Sequence, residues 1–311
     1  MGFVIGRRVV AAVPTVLGVS VILFVALRLL PGDPVAAILA GSPATPELVA
    51  DLRAQFGLDE PVWRQYWTFL TSALSGDLGT SYATRQPVST MIAQQIGPTL
   101  QLAVAAALVS AVTGILLGSF AALRRDGVLD SAIRVLSLVS TSMPSFWVGL
   151  LMIMLFSFQL GWFPATGNAG IASLVLPALT LGLSAAGTVT RLVRNSVIEV
   201  VGDPFVAALH AKGLRPRVVV MKHVLRNAVI PTVTVVGLQL GALVAGAVIV
   251  EAVFSRQGLG QMLVQAIGGN DYPVIQGVVF VIAVIYIVIN IVVDISYAFI
   301  DPRVRSSLSR A

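Results

Sequence analysis

Both histidines, both lysines and three of the arginines in this 311-residue chain fall in one stretch, DPFVAALHAKGLRPRVVVMKHVLRNAVIP, from Asp203 to Pro231. These residue types can bind metals, hold phosphates or move protons, but their spacing here serves none of those tasks. His210 and His223 stand 13 positions apart, whereas a zinc protease needs two histidines one helical turn apart with a glutamate beside the first. Lys212 follows Ala211 and Lys222 follows Met221, so no Gly-Lys pair exists. The phosphate-cradling loop G-x-x-x-x-G-K-[ST], in which backbone amides and one lysine enclose a nucleotide, is therefore missing. The chain has no cysteine, which excludes disulfides, thiolate metal sites and cysteine nucleophiles.

What the stretch does encode is a short helix. Asp203 suits an N-cap and Pro204 the first helical position. Ala207, Ala208, Leu209 and Ala211 are strong helix formers, and Gly213 supplies a stop after about two turns. Phe205, Ala208, Leu209 and Lys212 share one face at i, i+3, i+4 and i+7. The residues alone leave two readings open. One is a rigid connector that receives force from a separate subunit. The other is a solvated loop anchored on anionic lipid headgroups.

The elements that hold this stretch are apolar. The chain is 57% hydrophobic and 11% charged, with mean hydropathy +0.92, against about 25% charged residues in a soluble domain. A span needs about 20 mainly apolar residues. Six stretches qualify: Val9–Leu30, Pro98–Leu123, Ile133–Phe158, Leu174–Val193, Ala228–Val250 and Val274–Ala298. The first follows a short basic start, MGFVIGRR, and reads as a retained span rather than a cleaved signal. Pro144 should kink the third. The fold class is thus an all-α polytopic membrane protein with six transmembrane helices. Glu251, Asp294 and Arg28 lie near span ends and read as interfacial or snorkelling residues.

The segment Pro31–Gly97 is more polar. Thr45 or Pro46 should open a short helix, and VWRQYWTFLTSALSG places Val62, Tyr66, Phe69 and Leu70 at helical spacing. The predicted organisation is 1–30 as a start and first span, 31–97 as an extracytoplasmic helical loop subdomain, and 98–311 as a five-helix core with a cytosolic loop at about 195–227. With both termini in the cytosol, fifteen of the twenty Lys and Arg residues lie inside: Arg7, Arg8, Arg124, Arg125, Arg134, Arg191, Arg194, Lys212, Arg215, Arg217, Lys222, Arg226, Arg303, Arg305 and Arg310. The positive-inside rule selects that orientation.

No span carries an ionisable residue at its centre, which argues against an ion-coupled carrier or channel. A purely structural scaffold leaves the capped helix at Asp203 unexplained. A transporter with no engine of its own needs an external one.

Several motifs, in order, carry a resemblance. They are LPGDP (Leu30–Pro34), FGLDEPVWRQYW (Phe56–Trp67), SGDLGTSY (Ser75–Tyr82), GPTLQLAVAA, MPSFWVGLLM, AKGL, LRNAVIP and VEAVFSRQGLGQML. Together they resemble the B-type transmembrane subunit of ABC importer permeases of the dipeptide, oligopeptide and nickel family, and Asp203–Gly213 resembles that group's EAA-type loop. Ala207, Ala208 and Leu209 stand where the general motif has Glu-Ala-Ala, while Gly213 keeps the motif glycine.

The resemblance implies type I importer architecture and a permease that is not itself an enzyme. It implies a pathway shared with a C-type permease, two ATPase subunits carrying ATP and Mg, and an extracytoplasmic binding protein, with membrane lipid around the whole and no nucleic acid. The mechanism implied is alternating access. Di- or oligopeptides are the implied substrate; nickel, a chelated metal or a tetrapyrrole is the alternative. Asp203, Phe205, Val206, Ala208, Leu209, Lys212 and Gly213 become the expected ATPase contact. Met143, Pro144, Phe146 and Trp147 become candidate pathway or kink residues. Gly114 and Gly118, and Gly237 and Gly241, have the small-xxx-small spacing of close helix packing or of a seam between permeases. The outer segment reads as a cover over the pore that meets the binding protein.

Overall fold

The computed structural model describes residues 2–29, 35, 39, 45–55, 59–168 and 170–300. The LPGDP stretch, Phe56–Leu58 and the basic residues Arg303, Arg305 and Arg310 lie outside the described residues. Every named element among the described residues is a helix. Five are long and apolar enough to cross a membrane: α1 (Gly2–Leu29), α4 (Val88–Leu123), α7 (Ala172–Val201), α10 (Ile230–Val253) and α12 (Tyr272–Ile300). Shorter helices are α2 (Pro46–Gln55), α3 (Val62–Ser75), α8 (Pro204–Ala211) and α11 (Leu259–Gly268). Between α8 and α10, three abutting segments (Pro216–Val218, a π-helical Val219–Val224 and Leu225–Ala228) form α9.

The third predicted span differs from expectation. It is two helices, α5 (Val128–Ser142) and α6 (Ser145–Met152, continued by a π-helical Ile153–Gln159), bent by 106° at Met143–Pro144. Pro144 does more than kink this element, because the residue before a proline is pushed into extended backbone; Met143 has φ −76°, ψ 133°. The pair is nevertheless one broken crossing. Its contacts run in one direction along α7: Asp130 with Arg194, Ser137 with Arg191, Thr141 with Gly187, and Gly149 with Thr180. A re-entrant loop would return to the Arg194 end. With this pair as one span, the described residues hold six crossings.

The chain divides into two compact units. The first holds residues 1–99 and 257–291. Its core gathers Leu23 and Leu27 of α1, Ala73 of α3, Val88 and Ile92 of α4, α11, and Tyr272 to Phe280 of α12. The described residues of the outer segment thus share a core with spans one and six. Thr45 Oγ1 accepts from Leu48 N at 3.3 Å and so caps α2. Tyr66 packs edge-on against Phe24, and Phe69 stacks on Phe24 and meets Phe280 edge-on. Asp271 clamps the turn before α4, accepting from Ser81 Oγ at 2.5 Å, Tyr82 N at 3.1 Å and Ala83 N at 3.3 Å.

The second unit holds residues 100–256 and the chain from 292 onward. α7 is its axis, and small residues let neighbours approach it closely. A Cβ on Gly114 of α4 would sit 2.5 Å from Val189 Cβ, and one on Gly118 would sit 2.6 Å from the Thr190 carbonyl oxygen. α7 returns the favour with Gly182, where a Cβ would meet the Ala106 carbonyl oxygen at 2.6 Å, and with Gly187 against Ser137. Gln239 of α10 joins the third side, its Nε2 donating to Ala185 O at 3.5 Å.

Candidate functional site

The capped helix forms. Asp203 has extended backbone (φ −68°, ψ 141°) and occupies the N-cap position, with Pro204 following at N1. Its side chain makes no capping hydrogen bond, contrary to the role expected of an aspartate there. The start of α8 rests on the Pro204 ring and on Val206 N donating to Asp203 O. The end is closed fully. Gly213 lies at φ +77°, Gly213 N donates to His210 O at 2.9 Å, and Leu214 N donates to Leu209 O at 3.3 Å. That pair of bonds is the Schellman motif, which needs a left-handed residue at Gly213.

The faces of α8 separate the candidate residues. Val206 is 4% exposed and packs into a core with Val189, Val193 and Val197 of α7 and Val219, Val224 and Ala228 of α9; Leu209 and Leu214 border the same core. Phe205, Ala208, Lys212 and Gly213 are exposed. Of the residues expected at the ATPase contact, Val206 faces inward and Leu209 is half-buried. They fix α8 to α7 and α9, while Phe205, Ala208 and Lys212 present an apolar patch with a basic end. The helix stands at the C-terminal end of α7 and before the π-helical turn that leads to α10, and it packs against both α7 and α9.

Close by lies a charge cluster that sequence reasoning passed over. Asp130 of α5 is fully buried. It accepts from Arg194 Nε at 2.6 Å and Nη2 at 2.8 Å, and from Asp126 N at 3.1 Å, and Arg134 lies one turn along. In the sequence, Arg134 and Arg194 read only as inner-face charges. The i,i+4 pair Asp130–Arg134 was readable from sequence; the partner 64 positions away was not.

Met143, Pro144, Phe146 and Trp147 come together at the elbow of the broken span, where with Val139 and Ser142 they line a cavity of about 460 Å³. Gly114 and Gly118 meet α7 of their own chain. Gly237 faces Val293, where a Cβ would lie 2.9 Å from Cγ1, and Gly241 is buried. Glu251, expected at an interface, is fully buried near the end of α10. Arg256 is also buried, donates to Gln101 Oε1 at 3.1 Å, and has its pKa lowered by desolvation, with Glu251 pulling the other way.

Residues 114–306 match the family described as binding-protein-dependent transport system inner membrane component, and residues 1–103 match its N-terminal companion family. The chain belongs to the inner membrane permeases of binding-protein-dependent transport systems. The glutathione transport system permease protein GsiC of Salmonella choleraesuis is 40% identical over 299 residues, covering 96% of this chain and 97% of that protein. GsiC of Escherichia coli K12 is 38% identical over the same length. Among solved structures, the MetNI methionine ABC transporter in an inward-facing crystal form superposes with a TM-score of 0.57 at 22% identity, over 68% of this chain and 96% of that one. A second crystal form gives 0.53 at 21%. The likeness in structure carries the fold, and the likeness in sequence carries the family. This permease is the multi-pass transmembrane subunit of an ABC importer of the peptide group, resides in the inner membrane, and is not itself an enzyme. A permease of this kind works with ATPase and substrate-binding partners.

Proposed function

We propose that the permease forms half of a pathway for di- or oligopeptides, works by alternating access, and is driven through α8. The observation that carries the reading is the division of α8 into an anchored face, Val206 and Leu209, and an exposed face, Phe205, Ala208 and Lys212. A two-turn helix locked at both ends and packed on α7 and α9 transmits a displacement that a loose loop would absorb. Two ATPase subunits binding ATP and Mg would press on that face, a C-type permease would complete the pathway, and an extracytoplasmic binding protein would deliver substrate. With six crossings both termini would lie on one side, and the Lys and Arg bias favours the cytosol for that side. The outer segment would meet the binding protein, and the elbow residues Met143, Pro144, Phe146 and Trp147 would border the path. Glutathione is itself a small peptide, so the sequence relatives favour peptide cargo.

The test is uptake by the assembled importer in proteoliposomes, offering labelled di-, tri- and tetrapeptides and nickel separately. Uptake of a peptide that needs ATP and is abolished by Phe205→Asp, with subunit stoichiometry unchanged, supports the reading. Nickel uptake without peptide uptake overturns the cargo. Full uptake by Phe205→Asp and by Lys212→Glu overturns the coupling role.

A further inference from the structure

α3 carries more apolar surface than its packing uses. At about 100° per residue, Tyr66, Phe69 and Ala73 form the side that packs on α1 and α12. Trp63, Trp67 and Leu74 fall within about 40° of one another beside that arc, and they are 71%, 62% and 68% exposed. The opposite side is polar: Arg64, Thr68, Thr71 and Ser75. The helix is thus amphipathic twice over, with one apolar flank covered by protein and the adjoining flank bare.

Its neighbours give the depth at which that bare flank lies. Tyr66 Oη pairs with Ser20 Oγ at 2.9 Å, its ring meets Phe24, and Phe69 meets Phe280. Phe24 is five residues inside the Leu29 end of span one, and Phe280 eight residues inside the Tyr272 end of span six. At 1.5 Å per residue those are about 8 and 12 Å below the helix ends. α3 therefore crosses two spans at a level where the exposed surface of α1, Val21, Ile22 and Val25, is apolar. A helix lying in the interface buries its apolar face about 5–10 Å into the headgroup and acyl boundary, and Trp is the residue favoured there.

We propose that α3 is an interfacial membrane helix, with Trp63, Trp67 and Leu74 seated among the acyl chains of the leaflet at the Leu29 end of α1 and Arg64, Thr68, Thr71 and Ser75 turned to water. The segment predicted as an extracytoplasmic subdomain is then moored in lipid at its centre. Arg28 fits this arrangement: its guanidinium lies 4.7 Å over the Phe24 ring and donates to Gln65, holding its charge at the helix edge.

The natural absence of cysteine makes the test direct. Single cysteines are placed at Trp63, Trp67, Leu74, Thr68, Thr71 and Ser75 in the assembled importer in lipid nanodiscs, where both membrane faces are open, and a charged maleimide is followed on this chain by gel. The outcome does not depend on membrane orientation or on cargo. Modification of the Thr68, Thr71 and Ser75 positions at rates roughly tenfold above those at 63, 67 and 74 is expected for a half-immersed helix. Equal rates on both sides overturn the proposal. A photoreactive benzoylphenylalanine at position 67, which keeps an aromatic ring there, separates lipid from protein cover. Adducts with lipid alone are expected, and an adduct with another subunit overturns the proposal in favour of a protein interface.

Discussion

The Asp130 carboxylate grips the Arg194 guanidinium through two hydrogen bonds, 2.6 Å to Nε and 2.8 Å to Nη2, tying the start of the broken span to α7. Both oxygens are engaged, and the guanidinium is left with few other partners. Removing one partner strands a charge that burial has stripped of water, which costs far more than the pair contributes net. Asp130→Ala and Arg194→Ala should each lower membrane accumulation several-fold through degradation of the unfolded fraction. The double exchange Asp130→Arg with Arg194→Asp should recover a good part of it, read by immunoblot of membranes. Accumulation at the wild-type level in both single variants would show that the pair is dispensable.

The main lines of this fold were legible because membrane spans are written as long apolar runs. Five of six came through as continuous helices, and α8 was readable from Asp203-Pro204 and Gly213. The third span was not, because composition registers Pro144 but not how far the chain turns at Met143. Which face of α8 points outward was also hidden: Val206 and Phe205 are adjacent apolar residues, and only the packing of Val206 on Val193 and Val197 tells them apart. The Asp130–Arg194 pair and the clamp on Asp271 join positions far apart in sequence, where no local pattern points from one to the other.

Phe205 and Val206 should therefore respond oppositely. Val206→Asp puts a charge in the α7–α9 core and should reduce accumulation and the melting temperature of the purified importer. Phe205→Ala should leave both near wild type, since Phe205 is exposed, yet lower ATP-driven uptake at least several-fold. Uptake unchanged in Phe205→Ala, with the importer assembled, would remove this side chain from coupling.

Gly118 and Gly213 should fail for different reasons. A Cβ at Gly118 would lie 2.6 Å from the Thr190 carbonyl oxygen, which cannot yield without moving α4 off α7. Gly118→Ala should cost about 1–3 kcal/mol, as overpacking does, and Gly118→Leu more. Gly213 has open space around it but φ +77°. Gly213→Ala should cost about 1–2 kcal/mol from backbone strain alone, with Gly213→Asn milder because asparagine tolerates that region. Thermal unfolding of the purified importer checks the order. Equal losses for Gly213→Asn and Gly213→Ala would contradict the conformational account.

Asp271 and Ser81 hold the turn before α4, and the same cluster sets an alkaline limit. Burial, with the Asp271 carboxylate and Tyr272 adding to it, pushes the Tyr82 phenol up to about 12. In the unfolded chain the phenol ionises near its ordinary value of about 10. Below that value both states hold the proton and the full stability is present. Between about 10 and 12 the unfolded state loses the proton first, so stability falls as pH rises through this window. Tyr82→Phe should flatten that part of the pH dependence. Asp271→Ala, which removes the acceptor for Ser81 Oγ, Tyr82 N and Ala83 N, should lower stability already at neutral pH and expose the 81–84 turn to protease. Melting temperatures from pH 7 to 12 for the three proteins decide it. An alkaline slope in Tyr82→Phe as steep as in the wild type would assign the transition to other groups.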